Sequence, residues 1–289
     1  ILPDEWKALC SPRGGHDPRD HYITRRSEPP SARVAFSGLD TAVGRVLSDV
    51  ILVERLREVR VLDGFERHTM KEPVSSNLGA DPDELPAVEV FGEGFFLRFS
   101  ESAVSEWENQ PEVVRRALVL AERQKTSATW LETPTPRYVL MHTLAHLILR
   151  NTAFAAGYST SALNERLYVT RSGQQQDMAG ILVYTAAGDT EGTLGGLVRL
   201  GEYERLIRLL VSSVADAQWC SFDPVCGESR GQGSGGLSLA ACHACCLTPE
   251  TSCVAGNRLL DRRLVVDSEF GFLRHVVREL GEAPSQATW

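Results

Sequence analysis

The stretch AGILVYTAAGDTEGTLGGLVRLGEYERLIRLLVSSVADAQWC, Ala179 to Cys220, sets two periodicities side by side. Its first nine residues are short and apolar. Ile181, Val183, Tyr184 and Thr185 favour extended backbone, so this part reads as a strand. A glycine-rich turn follows, and then a long amphipathic helix. A strand that feeds a helix in this way predicts a mixed α+β fold, a sheet packed by helices. The stretch ends on the first cysteine of a loop-rich, cysteine-dense C-terminal segment.

Upstream, TPTPRYVLMHTLAHLILRNTAFAAGYS opens with prolines, becomes a long apolar helix and ends near Gly157 as C-cap. NERLYVT is a short strand. SESAVSEWENQPEVVRRALVLAERQ reads as helix broken at Pro111. AVEVFGEGFFLRFS reads as a hairpin turning at Gly92-Glu93-Gly94. Residues 71–86, with Pro73, Pro82 and Pro86, form a loop. In SGLDTAVGRVLSDVILVERLREVR, Ser37 or Asp40 can cap a helix, and Val43, Val46, Leu47, Val50 and Ile51 recur at helical spacing. VRVLDGFER is a strand turning at Asp63-Gly64, and residues 10–35 are irregular. Downstream, NRLLDRRLVV precedes a helical tail, SEFGFLRHVVREL. A polar, proline-containing shift near residues 125–136 predicts a division into an N-terminal α/β part, 1–128, and a zinc-binding C-terminal domain, 129–289.

The 289 residues are 43% hydrophobic and 24% charged, enough to bury a core. The net charge of −8 argues against coating nucleic acid by charge alone. Arg25, Arg26, Arg55, Arg57, Arg60, Arg115 and Arg116 could line a local basic groove, but acidic residues interleave with most of them. No apolar run approaches the ~20 residues of a membrane span. An odd cysteine count without a secretory signal points to a reducing cytoplasm, where clustered thiols are metal ligands more often than bridges.

The C-terminal run CHACCLTPETSC, Cys242 to Cys253, holds four of the seven cysteines. Cys242 and Cys245 have the C-x2-C spacing that presents two sulfurs to one ion from a tight turn. With Cys226 and Cys253 they predict a closed four-thiolate zinc site. Cys220 is an alternate ligand, His243 could supply a nitrogen, and Cys246 is a bystander. Buried free cysteines that merely pack are the bland alternative, and a redox switch at Cys245, Cys246 and Cys253 is another.

HTLAH places His142 and His146 at i and i+4 on one helix face. Thr143 stands where an H-E-x-x-H hydrolase needs Glu, so packed histidines are expected. The rival reading is a metal-dependent nuclease or hydrolase using His142, His146, Asp189 and Glu191. The glycine turn could cradle phosphate, but no Lys-Ser/Thr follows it. A structural turn is expected first, with a contact by Asp189 to Gly196 and the arginine-bearing helices to a partner or nucleic acid as the runner-up.

These motifs, with LVERLREVRVLDGFER (52–67), LPAVEVFGEGFFLRF (85–99), AGYSTSALNERLYV (156–169), WCSFDPVC (219–226) and NRLLDRR (257–263), resemble one family. It is the helicase-associated C-terminal domain with four metal-binding cysteines, and within it the DrmB proteins of DISARM phage-defence systems. The resemblance covers most of the chain. It implies a cytoplasmic zinc protein that partners a DrmA-like helicase on DNA, and it supplies no catalytic residue. Cys220, Cys226, Cys242, Cys245 and Cys253 all match the family's cysteines. Family members are longer, so the resemblance and the missing initiator Met imply that the chain is their C-terminal part. The expected function is a non-enzymatic, zinc-stabilised subunit that docks on a helicase or translocase and helps it engage phage DNA.

Overall fold

The computed structural model describes residues 1–14, 20–28, 37–65, 74–76, 84–127, 131, 133–170, 176–186 and 195–282. In chain order these form α1 (Leu2–Cys10), β1 (Ile23–Arg26), α2 (Ser37–Gly44), β2 (Leu47–Val61), the short pair β3 (Gly64–Phe65) and β4 (Val74–Ser75), and β5 (Ala87–Phe99). Then come α3 (Glu101–Glu108), α4 (Pro111–Ser127), α5 (Pro136–Ala156), β6 (Leu163–Val169), β7 (Ala179–Ala186), α6 (Gly196–Leu200) and α7 (Tyr203–Ala217). The cysteine-rich loops follow, closed by α8 (Arg263–Val266) and α9 (Arg274–Glu282).

Five strands make one antiparallel sheet in the order β1-β2-β5-β7-β6. Strand alternation sorts its residues onto two faces. Val50, Leu52, Phe95, Leu97, Leu163, Leu167, Ile181 and Val183 join the helices and the cysteine segment in the main core. Ile51, Val53, Phe96, Tyr168 and Leu182 face the other way and are covered by Trp6 and Leu9 of α1. Trp6 meets Phe96 edge-on at 5.6 Å. The fold is α+β. The sheet draws strands from both sides of the expected 128/129 boundary, and its main core is continuous across it.

Several expectations change, among them the loop expected over residues 71–86, in which Val74–Ser75 pairs with β3. Helix stops at Gly44, and residues 47–61 are a strand. Val50 to Val53 are all buried because both faces of β2 are covered, and such a run mimics helical spacing. Residues 87–99 are one continuous strand, not a hairpin. Gly92 and Gly94 do not turn the chain; a Cβ at either would collide with the backbone of β7. Opposite them β2 shifts register between Val53 and Leu56. Within the irregular N-terminal stretch, β1 pairs with β2.

The helix α5 forms as expected. Thr135 Oγ1 accepts from Tyr138 N at 3.1 Å, Pro136 fits the first turn, and Gly157 closes the helix at φ 71°. It is buried nearly all round, between the sheet and α7. The α3–α4 break falls at Pro111.

Candidate metal centre

After α7 the chain has little regular structure, so its loops need another source of order. Four sulfurs converge there: Cys220, Cys226, Cys242 and Cys245. Cys220 Sγ lies 3.5 Å from Cys242 Sγ, and Cys245 Sγ lies 3.8 Å from both Cys226 and Cys242. A tetrahedral ion with bonds of ~2.3 Å sets sulfurs ~3.8 Å apart. All seven cysteines are free thiols.

The C-x2-C turn is a tight knuckle, in which the Cys242 carbonyl accepts from the N–H groups of Cys245, Cys246 and Leu247 at 2.9–3.2 Å. Backbone N–H groups also point at sulfur: Phe222 N at Cys220 at 3.5 Å and Cys242 N at Cys245 at 3.3 Å. Such donors favour thiolates. Arg150 of α5 donates to the carbonyls of His243, Ala244 and Leu247 and holds the knuckle against the core. On the other side Asp223 accepts from Cys220 N and Gly227 N, each at 2.9 Å, and pairs with Arg262. Arg262 also donates to Ala217 O at 2.9 Å, joining the end of α7 to the loop.

Without a cation these thiols resist ionising together. Burial pushes Cys220 and Cys226 up, and hydrogen bonding with Cys246, then burial, pushes Cys245 up. Cys242 alone is held below the usual thiol range: burial opposes this, but the Ala244 N–H and neighbouring thiols outweigh it. A dication reverses that balance. The donor set and spacing fit zinc; held by four thiolates, such an ion would have no open position for water or substrate and would serve a structural role.

Cys253, expected as the fourth sulfur, is not in this group; Cys220, the alternate, takes that place. Spacing along the chain could not separate them, because both are loop residues within reach of the knuckle. Cys253 lies with His142, His146 and Glu165. The histidines are fully buried, as expected, but they face charged partners instead of apolar packing. Glu165 had a legible signal. It sits between Leu163 and Leu167 on an alternating strand, so a carboxylate had to face the core. His243 is exposed and outside both groups.

Asp189 and Glu191 lie outside the described residues. Where the glycine turn enters α6, a possible anion seat is filled from within. Buried Glu93 accepts from Gly195 N and from Leu197 N, the latter at 2.9 Å. The arginines considered for a basic groove are largely neutralised. Arg25 pairs with Glu54, Arg26 with Asp49, Arg57 with Glu89, Arg60 with Glu58, Arg115 with Glu112 and Arg116 with Asp261.

Residues 144–246 match the family model described as the MrfA Zn-binding domain. That span contains Cys220, Cys226, Cys242 and Cys245 and stops short of Cys253. The chain is also 37% identical over 234 residues to the DISARM protein DrmB of Bacillus paralicheniformis, a match covering 75% of this chain and 40% of that protein. The aligned part is thus about two fifths of the curated relative's length.

Proposed function

We propose, from a chain that is DrmB-like over three quarters of its length and carries an MrfA-type zinc-binding domain, that it serves a DISARM anti-phage defence assembly as a non-catalytic subunit. In this reading Cys220, Cys226, Cys242 and Cys245 hold one structural zinc. The metal shapes the loop between Cys220 and Cys226 as a docking surface for a helicase-type partner, and DNA is held jointly by the complex in the cytoplasm.

The observation that carries this reading is the loop itself. Trp219, Phe222 and Val225 are 71%, 61% and 79% exposed, directly beside two buried sulfurs. Large apolar side chains held outward by a rigid, metal-fixed loop are the anchors that protein interfaces use. The paired arginines and the negative net charge favour a protein contact over direct DNA binding. No helix among the described residues is long and apolar enough to cross a membrane.

The rival hydrolase needs an open metal position. His142 and His146 are both 0% exposed, which favours the accessory reading. The test is co-purification of the full-length protein with the helicase-type protein of the same system, with and without DNA. Trp219→Ser with Phe222→Ser should weaken capture by about tenfold or more while zinc content is unchanged. Undiminished capture by that double variant would refute the docking surface.

A further inference from the structure

We infer that His142, His146, Glu165 and Cys253 form a second, enclosed metal site of the zinc class, which clamps α5, β6 and the loop after Pro249 together. This inference is independent of the partner-docking reading. Two of the four residues, His142 and Cys253, also lie outside the span matched by the zinc-binding family model.

The geometry is that of a ligand set. One ligand atom from each residue lies within 4.8 Å of all the others. His142 Nε2 is 3.1 Å from Cys253 Sγ and 3.1 Å from Glu165 Oε1. His146 Nε2 is 3.7 Å from the same oxygen. Atoms bound tetrahedrally at ~2.0–2.3 Å stand ~3.3–3.8 Å apart, so these separations are near those of donors sharing one ion.

The hydrogen bonds around the group orient it toward an ion. His146 Nδ1 lies 3.0 Å from the Cys246 carbonyl and must donate to it. In the neutral ring this leaves the Nε2 lone pair facing inward, the arrangement of a metal-ligating histidine fixed by an outer carbonyl. Among the described residues, buried His146 Nε2 and Glu165 Oε2 have no hydrogen-bond partner, and neither has His142 Nδ1 on the other edge of its ring. The Cys253 sulfur accepts from Ala255 N at 3.4 Å and Asn257 N at 3.2 Å, as the knuckle sulfurs of the first site do. Glu165 Oε1 accepts from Val254 N at 3.2 Å.

Charge is balanced by one ion. Two neutral imidazoles, one carboxylate and one thiolate carry two negative charges, which one dication cancels. Without an ion, two protons must be shared among the rings, the carboxylate and the thiolate. A proton on His146 Nε2 would need an acceptor, and 3.7 Å to Glu165 Oε1 is too long for that bond. Four protein ligands and full burial leave no position for substrate, so the ion is structural.

The test is metal analysis of the full-length protein purified with zinc, joined to zinc-edge X-ray absorption. Two ions per chain with a mixed sulfur and nitrogen/oxygen shell are expected. Glu165→Gln and Cys253→Ser should each lose one ion and leave a sulfur-only shell. A wild-type protein holding a single ion, a sulfur-only shell, or no metal would overturn the second site. So would a folded Cys253→Ser protein with its metal content unchanged. The wild-type absorption spectrum decides the matter even if both variants fail to fold.

Discussion

Asp261 is fully buried, and its carboxylate takes two hydrogen bonds from Arg116, at 2.6 and 2.9 Å. Its N–H donates to Thr143 Oγ1 at 2.9 Å, so one residue ties α4 and α5 to the chain just behind the zinc knuckle. Removing one partner of a buried pair leaves the other charge without compensation in a poorly solvating interior. Asp261→Ala should therefore lose about 3–5 kcal/mol of stability, read from urea unfolding; a loss below about 1 kcal/mol would mean the pair is solvated. At this scale the sequence was informative about chemistry and silent about partners. The C-x2-C spacing announces Cys242 and Cys245, because a tight turn across two residues brings both sulfurs to one side. Whether Cys220 or Cys253 completes the tetrahedron depends on where two distant loops come to rest.

Among the elements, β5 carries the clearest structural demand. It is buried between β2 and β7, and at Gly94 a Cβ would sit 2.9 Å from the Cβ of Tyr184 on β7. Gly94→Ala should push the two strands apart at a cost of about 1–3 kcal/mol, seen as a lowered unfolding midpoint; an unchanged midpoint would show that β7 yields freely. The same element shows how a local signal misleads. Glycine flanking a glutamate reads as a turn, yet here the glycines admit a neighbouring strand and Glu93 between them caps α6. In β2 the four consecutive buried residues come from coverage on both faces, a property of neighbours and not of local periodicity. By contrast β6, β7, α5 and the break at Pro111 were legible, because alternation, capping residues and proline act within a few residues.

For the whole molecule, stability is divided unevenly. The sheet and the helices on it share one large apolar core, while residues 218–262 are mostly turns held by sulfur, Arg150 and Arg262. Metal binding contributes on the order of 10 kcal/mol in small zinc modules, and that gain belongs to the loops more than to the sheet. Stripping zinc with a chelator should expose cleavage sites within 218–262 to limited proteolysis, while the strand signal in circular dichroism persists. Simultaneous loss of both, or a digestion pattern that does not change, would contradict this division. Local composition and spacing determined the α+β class, the zinc and the C-x2-C knuckle, because each rests on residues close together in the chain. Only the tertiary structure decided which side chains cluster, since the donors available to an ion are chosen by distance in space. Packing β6 against α5 brought Glu165 to the histidines, and folding of the last loops sent Cys220 to one group and Cys253 to the other.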